Sequence, residues 1–390
     1  MSFAVKPGVY KWLHSGAEIF PALLQAIENT RKTIRFEVYI YQNDDTGRMV
    51  REALVKACQR GVRVQVLVDA LGAGALPGNF WEPLAQLGGD VRVFNPDLTR
   101  RFGFRDHRKI IICDEETAFV GGFNIAQNYN GDGVHSGWYE LGLKMISPLA
   151  VQLAAAFDEM FAQAGLQSKG VTRSKRSVAK RDVSVEEGKL LLSGPGRGPN
   201  PFNRSLRRDL RSAQSVQIIC PYFLPTWRIR RALFQVTRNG GRVQLMVPAK
   251  SDVALSQLAC RSLYRRLLKA GVEIYEYQPQ VLHAKLIIID DVVYAGSSNL
   301  DPRSLYINYE LMLRFQKRKL VTEAHELFAS NLKHCQRIEL EAWRKSRTWW
   351  SKMKQRWAYF ILVRVDPMIG RLENRIWGRP NFRRHRARAE

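Results

Sequence analysis

Two unbroken apolar runs, Ile110-Ile111-Ile112 and Leu286-Ile287-Ile288-Ile289, each open on a polar His-x-Lys step. Short apolar runs bounded by polar residues predict strands buried on both faces. Longer patterns flank them. Residues 51–68 read as an amphipathic helix, a stop at Gly61 and a buried strand, and residues 230–247 repeat that order with the stop at Gly241. Residues 91–96 and 274–279 add one more strand per half, each running toward its His-x-Lys step. The repeated β-α-β series predicts an α/β fold of two pseudo-twofold-related halves, each a mixed β-sheet flanked by helices, with the His107 and His283 strands brought together. The halves are placed at 1–167 and 188–341, joined by a basic linker at 168–187 that carries Lys169, Arg173, Lys175, Arg176, Lys180 and Arg181.

The pattern changes after residue 341. At helical spacing Trp350, Met353, Trp357, Phe360 and Ile361 form one stripe, and Lys352 and Arg356 fall away from it. A second short helix is expected from Asp366-Pro367, aligning Arg371, Arg375 and Arg379. From Arg344 onward there are fourteen Lys or Arg against three acidic residues. Tryptophan with Lys/Arg on amphipathic helices is the composition of an in-plane membrane anchor. The tail at 342–390 is therefore expected to meet an anionic membrane surface through Trp349, Trp350, Trp357 and Phe360. The competing expectation is a helix that docks its Trp face on the body of the chain. The apolar stretch 357–363 stops at Arg364, far short of a span, and the first residues lack the apolar core of a signal peptide.

Charge sharpens the choice of partner. Sixty-one Lys and Arg oppose 36 Asp and Glu, a formal net charge of +25 that calls for an anionic partner. Nucleic acid and an anionic membrane both qualify on charge. A nucleic-acid binder needs the cations but not the apolar stripe, so no nucleic acid is expected. Five cysteines, odd in number and scattered through apolar stretches, read as buried free thiols in a reducing compartment.

The candidate chemistry lies in the His-x-Lys steps. The first copy is His107-Arg108-Lys109, four residues, Asp114, then Gly121-Gly122-Phe123-Asn124. The second is His283-Ala284-Lys285, four residues, Asp290, then Gly296-Ser297-Ser298-Asn299. Side chains alternate along a strand, so each Lys shares a face with its His and can hold a phosphate oxygen beside the imidazole. Each Asp lies an odd number of residues from its His, on the other face, and is assigned to fixing the following turn. Glu140 and Glu310 are the candidates to stand behind an imidazole nitrogen and orient it. The glycines, Ser297 and Ser298 allow close backbone approach to a phosphate, and Asn124 and Asn299 can donate amide hydrogens to its oxygens. Two imidazoles suffice for a two-step exchange at a phosphodiester, one attacking phosphorus while the other protonates the leaving oxygen. Paired histidines also serve zinc, but no cysteine or further histidine stands at ligand spacing, so no metal and no cofactor is expected.

These paired motifs resemble the His-Lys-Asp motifs of the phospholipase D superfamily. Further stretches look like its bacterial cardiolipin synthase B branch: Phe36-Glu37-Val38-Tyr39-Ile40 with Asp44-Asp45-Thr46-Gly47, Gly296-Ser297-Ser298-Asn299-Leu300-Asp301-Pro302, and Arg347-Thr348-Trp349-Trp350. The resemblance covers about the first 350 residues and departs from strict repetition at one place: five residues separate Asp290 from Gly296, where six separate Asp114 from Gly121. It implies two phospholipase D-like halves sharing a metal-independent site, with His107, Lys109, Asp114, His283, Lys285 and Asp290 as the catalytic set. It implies His107 as nucleophile and His283 as acid, then base. The implied reaction is transfer of a phosphatidyl group from a phospholipid donor, such as phosphatidylglycerol, to phosphatidylglycerol through a phosphohistidine, releasing glycerol. The implied place is the cytoplasmic face of the bacterial inner membrane, held peripherally. A hydrolase or nuclease using water in the same site is the alternative, and a non-catalytic nucleic-acid binder is disfavoured by the duplicated motif. The segment Arg100-Arg101-Phe102-Gly103-Phe104-Arg105, which has no counterpart before His283, is expected either to grip a headgroup or acyl region or to form a basic surface loop.

Overall fold

The computed structural model describes residues 8–96, 103–168, 180–185, 188–196, 198–366 and 368. In the first half, strands β1 (Val9–Leu13), β2 (Thr33–Val38), β3 (Arg63–Asp69), β4 (Asp90–Phe94), β5 (Ile110–Cys113), β6 (Thr117–Gly121) and β7 (Gly142–Ile146) form one sheet in the order β1-β7-β6-β5-β2-β3-β4. In the second, β9 (Gly188–Ser193), β10 (Ser215–Ile219), β11 (Arg242–Pro248), β12 (Glu273–Tyr277), β13 (Leu286–Ile289), β14 (Val292–Gly296) and β15 (Glu310–Phe315) repeat that order. Two edge strands extend the second sheet, β8 (Arg181–Val185) beside β9 and β16 (Cys335–Ile338) beside β12. Each sheet is mixed. In the first, β2, β3 and β4 pair in parallel through helical crossovers, and β5, β6 and β7 pair antiparallel. The two apolar runs are β5 and β13, buried throughout at the middle of their sheets.

The helix–stop–strand pattern holds in both halves. Asp44 caps the helix Asp45–Gln59 by accepting from Gly47 N at 2.9 Å, and Thr226 caps Trp227–Arg238 by accepting from Ile229 N at 3.3 Å. Gly61 ends the first with φ +85°, and Gly240, one residue before the expected stop, ends the second at the same φ. The sequence placed residues 168–187 in a linker, but Arg181–Val185 pairs with β9, and Val183 and Val185 pack on the central core. Their alternation of half-buried and exposed positions is the signature of an edge strand, which the density of Lys and Arg hid.

Three apolar cores result among the described residues. Two lie on the outer faces of the sheets under the crossover helices. The third lies between the halves and includes residues of the helices Leu149–Ser168 and Arg318–Leu332 together with the inner faces of both sheets. The five cysteines are all free thiols, four of them buried.

After β16 the tail folds back on the second half. The helix Trp349–Phe360, capped by Thr348, packs along Ala254–Lys269, and Ala358, Tyr359, Leu362 and Val363 join the outer core. The docked face is not the Trp face. Trp349, Trp350, Trp357, Phe360, Ile361 and Met368 are all exposed, and Trp350 keeps 66 % of its surface. The anticipated second helix with Arg371, Arg375 and Arg379 lies outside the described residues. Among the described residues no helix is long and apolar enough to cross a membrane.

Candidate active site

The backbone crosses between the halves before any side chain does. His107 N donates to Tyr309 O at 3.0 Å, and Tyr309 N donates to Arg105 O at 2.9 Å. The mirror contacts are His283 N to Tyr139 O at 2.9 Å and Tyr139 N to Val281 O at 2.8 Å. Each His segment therefore pairs, in parallel, with the Tyr-Glu segment of the opposite half. The next residue along each partner is a glutamate, so the carboxylates are delivered across the interface. His107 Nδ1 lies 3.0 Å from Glu310 Oε1 and 3.1 Å from Oε2. His283 Nδ1 is in close contact with Glu140 Oε1.

The two lysines complete a buried cluster. Lys109 Nζ donates to His107 O at 2.7 Å, and Lys285 Nζ stands 3.0 Å from His283 Nδ1 and 3.3 Å from Nε2. Gly122 sits against the second pair: a Cβ there would lie 2.7 Å from Glu140 Oε2 and 3.1 Å from Lys285 Nζ. Only glycine permits this approach. At the equivalent place Ser297 Oγ donates to Glu310 Oε2 at 2.5 Å.

The site is a single electrostatic unit. Burial, Lys109, Lys285 and His283 all push His107 well below the ordinary imidazole range. Burial and Lys285 also lower His283, but Glu140 opposes them. Burial brings Lys109 down to about 7 and lowers Lys285. The glutamates diverge. Burial raises Glu310 to about 7, with Lys109 and Ser297 pulling against it. Burial acts on Glu140 too, but His283 and Lys285 outweigh it and hold its carboxyl below the usual range.

Of the residues singled out in the sequence, His107, Lys109, His283, Lys285, Glu140 and Glu310 meet in the site. Asp114 and Asp290 do not enter it, as their strand parity required. Both sit in hairpin turns with positive φ, 55° and 47°. Their carboxylates tie those turns to the start of a neighbouring strand: Asp114 accepts from the backbone N–H of Arg31, Lys32 and Thr33 at 2.8–2.9 Å, and Asp290 from Gln214 and Ser215. Those three donors hold Asp114 below its ordinary range against burial. Asn124 is largely spent on structure, accepting from Ile40 N at 3.0 Å and donating to Tyr129 Oη at 2.9 Å. Asn299 is buried in the equivalent place.

Sequence reasoning missed an aromatic wall and a charged support. Tyr39 meets His107 edge-on with ring centroids 5.1 Å apart, while Tyr129, Trp138 and Tyr222 surround His283 at 5.4, 5.6 and 6.2 Å. Under His107, Arg108 Nε and Nη2 grip Glu37 at 2.5 and 2.9 Å, and Nη2 also reaches Ala156 O at 3.2 Å. Beside it, Asp69 accepts from Asp106 N at 3.0 Å and from Leu71 N at 2.9 Å. The signal for the Arg108 pair was Glu37 itself, an acid inside an apolar strand. Of the segment expected to grip lipid, residues 100–102 lie outside the described residues, and Arg105 is buried, its Nη1 3.5 Å from Asp69 Oδ1. That part of the segment braces the His107 loop.

Two like halves with a His-Lys-Glu cluster across their interface define a phospholipase D-type phosphodiester site. The comparisons narrow this. The family described as "Cardiolipin synthase, PLD-like domain" matches residues 23–164 and 206–332, and the chain belongs to it. Cardiolipin synthase 1 of Bacillus anthracis is 32% identical over 348 residues, covering 86% of this chain and 68% of that one. Cardiolipin synthase B of Escherichia coli strain K12 is 30% identical over 378 residues, covering 92% of this chain and 88% of that one. Among solved structures, phosphatidylserine synthase of Haemophilus influenzae Rd KW20 shares the fold with a TM-score of 0.71 at 16% identity, over 93% of this chain and 94% of that one.

Proposed function

We propose that this protein is a cardiolipin synthase that moves a phosphatidyl group onto phosphatidylglycerol by way of a histidine. The observation that carries the reading is the exchange of glutamates between halves, which equips the two imidazoles differently. Glu140, held ionised, works against the burial and Lys285 that lower His283, and so suits that imidazole to carry a proton during the reaction as the acid. His107 faces a glutamate that burial keeps near neutrality and is surrounded by cations, so its imidazole stays neutral and nucleophilic.

In the first step His107 forms a bond to the donor phosphorus while the phosphorus–oxygen bond to the departing alcohol breaks, and His283 gives its proton to that oxygen. With phosphatidylglycerol as donor the alcohol is glycerol. In the second, His283 takes the proton from the hydroxyl of the accepting phosphatidylglycerol, whose oxygen displaces His107 from phosphorus. Lys109 and Lys285 neutralise the non-bridging oxygens as charge grows in the transition state, with Asn124 and Asn299 beside them. The Trp face of the tail rests at headgroup level on the cytoplasmic side of the bacterial inner membrane, with Lys and Arg meeting lipid phosphates.

Incubating the protein with phosphatidylglycerol in detergent and resolving the lipids tests the reaction. Cardiolipin with glycerol is expected. Phosphatidic acid alone means a hydrolase, and unchanged lipid alongside DNA cleavage means a nuclease. Turnover is expected to persist with a metal chelator present. For the membrane contact, removing the tail would strip packing from the outer core, so Trp350→Ser with Trp357→Ser is the cleaner variant. It should weaken vesicle binding with the fold intact.

A further inference from the structure

Between the tail and the helix Ala254–Lys269 lies a cavity of about 590 Å³, a volume within the range of small-molecule sites. Its lining includes Arg265 from that helix and Arg344, Lys345, Arg347, Lys352 and Arg356 from the tail. The acid in that lining, Glu341, is already paired with Arg344 at 3.0 Å. Among the described residues Arg265, Lys345, Lys352 and Arg356 have no ion-pair partner.

The recess is built rather than incidental. Buried Gln355 accepts from Arg347 Nη2 at 2.6 Å, and the Arg347 guanidinium stands 5.6 Å from the Trp343 ring centroid. One buried donor of the lining, Arg347 Nε, has no acceptor among the described residues. Burial, with Arg265 and Arg356 alongside, lowers the Arg347 pKa, as expected of like charges gathered without a counter-ion. Bringing cations together in this way costs free energy that an anion bound among them would offset.

We infer that this recess is a second anion site, sharing no residue with the His-Lys centre, which holds the headgroup phosphate of an anionic phospholipid in the membrane surface. The inference rests on the membrane reading of the tail and deepens it. The ligand is assigned to lipid because Trp349 and Trp350, exposed by 61% and 66%, lie in the chain between Arg347 and Lys352. Their rings pack edge-on with centroids 4.7 Å apart, and the exposed surface of this helix continues through Trp357, Phe360 and Ile361 to Met368. Indole rings beside cations suit the headgroup level of a bilayer, and the apolar continuation suits acyl chains. Bases of a nucleic acid would stack on the aromatic rings but have no use for Ile361 and Met368.

Vesicle co-sedimentation of the full chain tests the site, using phosphatidylcholine vesicles with and without phosphatidylserine, an anionic lipid that is not the proposed substrate. The variant carries Lys345→Gln, Lys352→Gln and Arg356→Gln, all exposed, with far-UV circular dichroism and the unfolding midpoint as folding controls. Because each cation near an anionic surface contributes about a fivefold gain in binding, the variant should partition roughly 100-fold more weakly onto phosphatidylserine vesicles. A charge-matched control, Lys32→Gln with Lys56→Gln and Arg63→Gln on the first half, should stay close to the unaltered chain. An equal loss in both triples means general charge attraction and overturns the site. Equal binding by the variant and the unaltered chain overturns the site and leaves the membrane reading standing, whereas failure of the unaltered chain to bind these vesicles sinks both. Displacement from vesicles by soluble glycerol phosphate at comparable concentration overturns the lipid assignment, as does a loss confined to duplex DNA binding.

Discussion

Glu140 and Glu310 occupy equivalent positions in the two halves, and each reaches the imidazole of the other half, yet their surroundings differ at almost every further contact. Glu140 has His283 and Lys285 beside it and glycine at position 122. Glu310 has the Ser297 hydroxyl and a longer contact to His107. Beneath the histidines the contrast widens. Glu37, Asp106 and Arg108 form a buried charged cluster under His107. The register of β2 on β5 and of β10 on β13 places Ile219, Leu282 and Ala284 at the equivalent positions, all buried and apolar. A duplicated frame has thus been given two electrostatic characters. A two-step exchange needs this, because a nucleophile must be free of its proton when the acid still holds one.

The largest test of that difference is the histidine pair. His107→Gln and His283→Gln should each lower steady-state turnover by about 10⁴-fold or more. With a donor carrying a good leaving group, His283→Gln should still accumulate a covalent phosphatidyl-enzyme, detectable by mass spectrometry, and His107→Gln should not. The reverse pattern would exchange the roles of the halves.

Next come the glutamates. Glu140→Gln should cost about 10³-fold in kcat, because it removes the charge that favours a proton on His283. Glu310→Gln should cost about tenfold, since a carboxyl with its pKa near 7 is already part-neutral. Equal losses in the two variants would show that the glutamates only orient the rings.

The charged cluster bears on stability. Arg108→Met leaves Glu37 buried without its partner and should lower the unfolding free energy by about 3 kcal/mol or more. Adding Glu37→Leu, which removes that unpaired acid and leaves Asp106 as the remaining buried carboxylate, should recover part of that loss in denaturant unfolding. A double variant as unstable as the single one would mean that the tie from Arg108 to Ala156 O matters more than the charges.

The smallest expected effect is in pH. The acid limb of kcat/KM should lie near 7, where Glu310 gains its proton and releases its hold on the His107 Nδ1–H. Ser297 donates to that carboxylate and lowers its pKa, so Ser297→Ala should move this limb to higher pH. A shift to lower pH, or none, would detach the limb from Glu310.

Much of this frame was legible in the order of residues. The apolar runs behind each His-x-Lys step became β5 and β13, the repeated helix–stop–strand pattern became matched crossovers, and the odd spacing of Asp114 and Asp290 kept both carboxylates out of the site. All of these rest on local periodicity, which side-chain alternation and helical pitch fix within a few residues. Glu140 and Glu310 were recognisable as carboxylates for the imidazoles, but which imidazole each serves was not, because the pairing spans 203 residues in one case and 143 in the other. The Trp stripe of the tail was likewise readable as a stripe. That a different face of the same helix docks, through Ala358 and Tyr359, depended on the surface offered by Ala254–Lys269. The sequence by itself determined the two buried central strands, the helix–stop–strand repeat and the inventory of ionisable groups. The tertiary structure decided which charges share a dry space, and so which carboxylate each imidazole faces, because burial and Coulomb forces act through distances that chain order does not encode.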